Sequence, residues 1–144
     1  MDRRDNQLRV LMAIYAVMYL AFGLVLLIYP DGILKLINRI TDWFGAGPPL
    51  EIGAHPFWAY VTVSLLFLVA VICFLAFRDV RNGRQLIWLM IFAKYVSSVS
   101  QLGYFAFSAD HPPGFVIGAL TDWSLGTVAL VFLLRASSSP QNAP

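Results

Sequence analysis

The stretch from Ile91 to Phe107, IFAKYVSSVSQLGYFAF, decides how this chain can fold. It is apolar enough for the middle of a membrane-spanning helix, yet it contains a lysine, three serines and a glutamine. A lysine at the centre of a membrane helix costs about 3 kcal/mol on an insertion scale, and the other polar residues remove most of the remaining gain. We therefore expect this helix to be marginal alone and to turn its polar face toward other helices.

The composition indicates that most of the chain is surrounded by lipid. Of 144 residues, 59% are hydrophobic and 12% are charged, whereas a soluble domain carries about 25% charged residues. The formal net charge of +2 is too small to indicate a nucleic-acid partner. Cys73 is the single cysteine of the sequence, which excludes an internal disulfide.

Four apolar segments are each long enough to cross about 30 Å of hydrocarbon. They span residues 8–29, 57–77, 86–107 and 114–134. Because a lipid-exposed backbone must satisfy its own hydrogen bonds, the prediction is an all-α, integral membrane four-helix bundle. It forms a single domain over residues 1–135, and the polar residues 136–144 are predicted to be a flexible tail.

A short amphipathic helix is predicted over residues 32–44, between spans one and two. Lys35, Asn38, Arg39 and Asp42 fall on one helical face, and the opposite face is aliphatic and aromatic. Such a helix lies in the membrane interface. A lid packed over the mouth of the bundle is the alternative, and both can hold together.

The cations are unevenly distributed between the two sides of the predicted bundle. Lys35 and Arg39 lie on one side, where four acidic residues offset them. By the positive-inside rule, both termini are predicted to be cytoplasmic, in a bacterial inner membrane. The other side carries Arg3, Arg4, Arg9, Arg78, Arg81, Arg84 and Arg135.

The polar residues of span three form one stripe. At 100° per residue, Ser97, Ser98 and Gln101 fall within about 60° of Lys94. On span four, Asp122 has a glycine one turn to either side, and such small-residue faces let helices approach closely. The faces of spans three and four are therefore predicted to meet, with Gly118, Gly126 and Ala129 as the helix-packing residues.

The stripe has two main interpretations that the sequence leaves open, beside a third in which the Lys94 side chain only reaches back to the membrane interface. Lys94 and Asp122 either contact each other directly or are linked through Ser97, Ser98, Gln101 or water. In one interpretation these residues hold the helices in register. In the other they form a pocket for a ligand headgroup or a proton path, since buried charge in a membrane is a default functional hypothesis. Tyr15 and Tyr19 on span one and Trp123 on span four would be the walls of that pocket.

No catalytic set is recognisable in the sequence. There is no nucleophile–base pairing, phosphate loop or GxSxG motif. His55 and His111 each precede a proline at the side opposite the termini, which is ordinary turn chemistry, and no metal site is predicted. No cofactor is predicted either, apart from a lipid or quinone that the interior could bind.

Residues 19–37, YLAFGLVLLIYPDGILKLI, resemble the opening of small four-helix bacterial membrane proteins of the DoxX-like type. In those proteins, a helix with a late glycine ends at a proline and turns into a surface helix. Spans two to four show no matching acidic or arginine motif. The resemblance implies a four-helix bundle and adds almost nothing about chemistry.

The expected function is that of a non-catalytic accessory subunit of a larger bacterial membrane complex. Its apolar faces would dock partner helices, lipids or pigments, so its predicted partners are membrane lipids and other integral membrane subunits. The alternative is a protein that binds a quinone, a lipid or a sterol-like molecule, or an enzyme or transporter, with a polar pocket around Lys94 and Asp122.

Overall fold

The computed structural model describes residues 3–43 and 56–137, with side chains from residue 59 onward in the second of these ranges. Helices are the only regular secondary structure in the described residues. Four of them are long and apolar enough to cross a membrane, which confirms the predicted all-α four-helix bundle. The helices are α1 (Arg3–Ile28), α2 (Pro30–Trp43), α3 (Pro56–Arg78), α4 (Arg84–Phe107) and α5 (Gly114–Ser137).

The observed helices extend slightly beyond the predicted ranges. α1 begins five residues before the predicted residue 8, because its first turns carry charged residues that an apolar window excludes. α5 continues to Ser137, so the predicted tail at 136–144 begins two residues too early. The rest of that tail lies outside the described residues.

The four long helices pack as two antiparallel pairs. α1 lies against α3, and α4 lies against α5, with less contact between the pairs than within them. The start of α1, the end of α3, the start of α4 and the end of α5 all lie at one end of the bundle, which we call the arginine end. α2 and the turn between α4 and α5 lie at the opposite end.

α1 contributes a continuous buried seam to the core. Its buried residues recur at spacings of three and four, the pattern of a helix packed along one face. At Gly23 a Cβ atom would lie 2.7 Å from Cε1 of Phe67, so the absence of a side chain at Gly23 lets α3 approach α1 closely. The seam consists of Asp5, Leu8, Met12, Tyr15, Tyr19, Gly23 and Leu26.

Small residues on the other helices let them approach this seam. Cys73 is fully buried in the middle of α3, in the hydrophobic core. Interfaces rich in small side chains are typical of membrane helices, where close van der Waals contact replaces the hydrophobic effect. The small core residues are Ala70, Cys73 and Ala76 of α3, and Ala129 and Ala136 of α5.

α2 has three faces rather than the two that were predicted. An apolar edge of Leu36, Ile40 and Trp43 is exposed, with Trp43 90% exposed. This edge and the polar face beside it suit a helix lying between hydrocarbon and water. The exposed polar face consists of Lys35, Arg39 and Asp42.

The third face of α2 corrects the placement of Asn38. Asn38 was predicted on the polar face, but it is buried together with Thr41. On a helical wheel, Asn38 lies about 60° from Lys35, at the edge where the polar face meets the face turned toward α1 and α5. The hydroxyl of Thr41 donates to the carbonyl oxygen of Asn38 at 2.8 Å, so Thr41 is buried with its hydrogen bond made.

Candidate functional site

Lys94 and Asp122 form a direct ion pair between α4 and α5. The distance from Nζ of Lys94 to Oδ1 of Asp122 is 2.8 Å, and the two side chains are 11% and 16% exposed. Of the two linkages that the sequence left open, the structure has the direct one. α4 and α5 are close here because Gly126 has no side chain: a Cβ atom there would lie 3.3 Å from Cβ of Lys94.

Gln101 binds the second oxygen of the same carboxylate. Its Nε2 lies 3.3 Å from Oδ2 of Asp122 and 3.1 Å from Oγ of Ser97. Gly118 makes room for it, since a Cβ atom at residue 118 would overlap Oε1 of Gln101. Both oxygens of Asp122 therefore accept a hydrogen bond from α4.

Ser98 makes the third link between α4 and α5. It is 1% exposed, and its hydroxyl donates to the carbonyl oxygen of Ala119 at 2.8 Å. Ser97 and Gln101 are half-buried beside it. The polar stripe predicted on span three thus faces α5, to which Lys94, Ser98 and Gln101 donate hydrogen bonds.

α1 covers the side of this polar cluster. The ammonium group of Lys94 lies 4.5 Å from the centre of the Tyr19 ring, within range of a cation–π interaction. The Tyr15 hydroxyl donates to the carbonyl oxygen of Leu125 on α5 at 2.9 Å. The rings of Tyr15 and Tyr19 meet edge to face, with centroids 6.0 Å apart. Lys94 thereby joins three helices.

The Tyr19 hydroxyl differs from its neighbours. It is buried and makes no hydrogen bond to any residue that the structure describes. A buried hydroxyl without a partner loses about 1–3 kcal/mol of hydrogen bonding relative to water. It is the polar atom of the cluster that a bound molecule could still engage.

Trp123 lies at the surface of the bundle, whereas Ala129 lies in the core. Trp123 is 50% exposed and packs edge to face against Tyr95, with ring centroids 5.0 Å apart. The Tyr95 hydroxyl shares a hydrogen bond of 3.1 Å with Thr127, a pair that the sequence reasoning missed. Ala129 is fully buried in the core. Whether Trp123 forms a pocket wall stays a prediction.

A second polar cluster, at the arginine end, was also missed. Asp5 is 1% exposed, and its Oδ2 accepts a hydrogen bond of 3.1 Å from Nε of Arg81. Oδ1 lies 3.6 Å from a terminal nitrogen of Arg84, which also donates to the carbonyl oxygen of Ala136 at 3.4 Å. One carboxylate thus ties the start of α1 to the α3–α4 connection and, through Arg84, to the end of α5.

The spacing of α1 contained a signal for this cluster. Asp5 precedes Leu8 by three residues, and Leu8 precedes Met12 by four, so Asp5 continues the buried seam by one step. A carboxylate on that seam is buried and needs a cation. Arg81 and Arg84, in the connection between spans two and three, lie at the same end.

His111 lies apart from both clusters, at the end of the bundle opposite the arginine end. His55 lies outside the described residues. Nδ1 of His111 lies 2.7 Å from the carbonyl oxygen of Phe105, in the turn after α4. Within residues 3–43 and 56–137, no three His, Cys, Asp or Glu side chains are grouped so that they could hold a metal ion.

Comparison with protein-family models, with curated proteins and with solved structures finds no match for this chain. The two polar clusters, the exposed apolar faces and the arginines at one end are therefore the features from which a function is inferred.

Proposed function

We propose that the chain is a non-catalytic, multi-pass accessory subunit of a larger bacterial membrane complex. The observation that carries the proposal is the closed network between α4 and α5, in which both oxygens of Asp122 are bound by Lys94 and Gln101. Polar groups that satisfy one another between helices in this way specify packing and register. The polar interior then holds the bundle together and need not take part in chemistry.

The outer faces support a docking role. Large aliphatic and aromatic side chains are exposed on every long helix. On α1 the side chains of Ala13, Ile14, Val17 and Met18 form an open, shallow apolar patch. Ala13 is the small residue of this patch, where another helix could approach α1 closely. Exposed aromatic residues on the other long helices, where lipids or pigments could pack, are Tyr60, Phe74, Trp88, Phe92, Tyr104, Phe107 and Trp123.

The proposed location is the bacterial inner membrane, with both termini in the cytoplasm. It rests on the arginines at the arginine end and on the positive-inside rule. A C-terminal fluorescent fusion that matures only in the cytoplasm is expected to be bright, and a C-terminal alkaline phosphatase fusion is expected to be inactive. The opposite pair of results would reverse the orientation. The resemblance to DoxX-like proteins stays a prediction and supports a four-helix bundle alone.

The packing role is tested by replacing both charges. The variant Lys94→Leu/Asp122→Asn is expected to change the yield of folded protein and to leave its content of bound small molecules unaltered. The matched control is Lys35→Leu/Asp42→Asn, the same two substitutions on exposed residues of α2, which is expected to change neither quantity. A well-folded Lys94→Leu/Asp122→Asn variant that has lost a bound molecule or an activity would contradict the packing role.

The second candidate function is the binding of a quinone, a lipid or a sterol-like molecule in the bundle interior. The buried, unpartnered hydroxyl of Tyr19 beside Lys94 is the observation that favours it. In that case Tyr15, Tyr19 and Trp123 would contact the apolar body of the ligand, and Lys94, Ser98, Gln101 and Asp122 its polar group. Mass spectrometry of lipid and quinone extracts from wild-type protein and from the Tyr19→Phe variant separates the two functions. A molecule present in the first and absent from the second supports this candidate.

A further inference from the structure

A basic cleft opens at the arginine end, beside the Asp5 cluster, with which it shares Arg81. It lies between the second turn of α1, the end of α3 and the connection that follows α3. Its volume is about 250 Å³, and it is open to the outside. The lining residues are Arg9, Arg78, Asp79, Val80 and Arg81.

Two of its arginines are held in place by the protein itself. Nε of Arg9 donates to the carbonyl oxygen of Phe77 at 3.1 Å, and the guanidinium lies 4.9 Å from the centre of the Phe77 ring. Nε of Arg81 donates to buried Asp5 at 3.1 Å. A guanidinium has five N–H donors, so four donors of each group lie on the terminal nitrogens, which these bonds do not use.

The third arginine is the least constrained. Arg78 is the last residue of α3 and is exposed, and it forms no ion pair with a described residue. Its side chain adds a cation to the cleft and makes no hydrogen bond or ion pair with the part of the chain that the structure describes. Arg78 is therefore the residue whose replacement reports on binding with least effect on folding.

One acidic residue faces the same cleft and does not cancel its charge. Both oxygens of Asp79 accept hydrogen bonds from Asn82, from the backbone N–H at 3.2 Å and from Nδ2 at 2.6 Å. These bonds hold the pKa of Asp79 below its ordinary value, so Asp79 is a carboxylate at neutral pH. Three arginines against one aspartate leave the lining with a formal charge of +2. The nearby Asp5 is shared between Arg81 and Arg84.

The predicted first span begins at residue 8, so Arg9 and the cleft beside it are expected at the depth of the lipid headgroups. Arg9 is six residues into α1, about 9 Å from its start, and the headgroup layer on each side of a bilayer is about 5–8 Å thick. Trp88, half exposed in the second turn of α4, lies at the same end, and tryptophan is enriched at this level of the bilayer. A molecule at the membrane surface can therefore enter this cleft.

From these observations we infer that the cleft binds the phosphate group of an anionic phospholipid, with Arg9 and Arg78 as its principal donors. Guanidinium groups bind phosphate oxygens in pairs of parallel hydrogen bonds. Basic pockets between membrane helices take anionic headgroups in the same way. The site goes beyond the proposed function, because it does not depend on whether the chain belongs to a complex.

Native mass spectrometry of the purified full chain tests this site. The protein is exposed to equal amounts of phosphatidylglycerol and phosphatidylcholine with identical acyl chains, and the retained lipid is counted. The wild type is expected to retain phosphatidylglycerol preferentially. Arg78→Gln is expected to lower that preference about fivefold, and Arg9→Gln/Arg78→Gln about thirtyfold, from the typical contribution of each arginine at a membrane surface.

Arg135→Gln is the matched control, because it removes the same charge at the same end but outside the cleft. It is expected to leave the preference unchanged, whereas an equal loss in this variant would show diffuse surface charge and overturn the site. Equal retention of the two lipids by the wild type would also overturn it. Displacement of phosphatidylglycerol by millimolar inorganic phosphate would assign the cleft to free anions instead of lipids. Because Arg78 makes no side-chain bond to the described residues, Arg78→Gln keeps the test valid if the double variant misfolds.

Discussion

Lys94 of α4 and Asp122 of α5 are joined by an ion pair of 2.8 Å inside the bundle, and Gln101 binds the remaining carboxylate oxygen. Neither charge could remain in the membrane interior alone, because removing one partner leaves the other desolvated and uncompensated. The placement of α4 in the membrane therefore depends on its contact with α5, and the placement of α5 depends on its contact with α4. The first two predictions test that dependence and the contact with α1.

Replacing Lys94 alone by leucine is expected to destabilise the bundle more than replacing both charges. Lys94→Leu leaves Asp122 buried without its cation, which lowers the free energy of unfolding by about 3 kcal/mol. Lys94→Leu/Asp122→Asn removes the uncompensated charge and should recover a large part of that loss. Titration with SDS, followed by circular dichroism in mild detergent, measures both. If the loss of unfolding free energy in Lys94→Leu/Asp122→Asn equals the sum of the losses in Lys94→Leu and in Asp122→Asn, the two charges do not interact.

The two tyrosines of α1 are expected to respond differently to loss of their hydroxyl groups. Tyr15→Phe removes the hydrogen bond to the carbonyl oxygen of Leu125 and is expected to lower the free energy of unfolding by about 1 kcal/mol. Tyr19→Phe removes a buried hydroxyl that has no partner among the described residues, so it should be neutral or stabilising. The same SDS titration compares them. A clear destabilisation by Tyr19→Phe would point to a bound molecule that this hydroxyl engages.

Substitutions of Gly126 on α5 and of Gly103 on α4 are expected to have opposite effects on stability, because the space around the two glycines differs. Gly126→Leu pushes α4 away from α5 at Lys94, and overpacking of this kind lowers the free energy of unfolding by about 1–3 kcal/mol. Gly103→Ala is the control, since nothing lies within 4 Å of a Cβ atom at that position. Alanine is favoured over glycine inside a helix by about 0.5–1 kcal/mol, so this variant should be slightly stabilised. Equal effects at the two positions would contradict the packing described for Gly126.

Asp5→Asn is expected to loosen the arginine end. The substitution leaves the cations of Arg81 and Arg84 facing a neutral amide at a site that is 1% exposed, and a loss of about 2–3 kcal/mol is expected. Hydrogen exchange should increase first in the opening turns of α1 and in the connection after α3. Asp110→Asn, the same change at an exposed residue of the α4–α5 turn, should have no such effect. Unchanged exchange in Asp5→Asn would mean that this carboxylate does not hold the end together.

The four-helix fold and the meeting of the polar faces of α4 and α5 could be predicted, because both depend on local contrast in the sequence, whereas the direct contact of Lys94 with Asp122 was left open. A lysine and an aspartate stand out against apolar helices, and only other helices can accommodate them in lipid. Asp5 does not stand out in this way. The start of a membrane helix can lie in water, where a charged residue is stable without a partner. The burial of Asp5 depends on how the connection after α3 folds back over α1, which is a long-range property. The burial of Asn38 is also a long-range property. Asn38 lies at the edge of the polar face of α2, and its environment is determined by how α2 packs against the other helices.

For the site residues, too, the face that they share on one helix could be predicted, whereas the individual contacts between helices could not. The helix wheel predicted that Ser97, Ser98 and Gln101 share a face with Lys94, because all four lie on one helix. It did not predict that Gln101 would fill the space beside Gly118, which required the relative position of two helices. Tyr19 was predicted as a wall residue, and the structure adds that its ring lies against the Lys94 ammonium group. Contacts between helices are the part of the site that periodicity alone does not determine.

Native mass spectrometry of the chain extracted from its own membrane in mild detergent tests the proposed function most directly. We expect assemblies heavier than the 16.1 kDa chain that contain other integral membrane subunits, and the same assemblies at lower yield for Lys94→Leu/Asp122→Asn. A lone chain or small homo-oligomer that carries a stoichiometric small molecule, lost in a well-folded form of that double variant, would contradict the accessory role. That result would make the cluster around Lys94 and Asp122 a binding pocket.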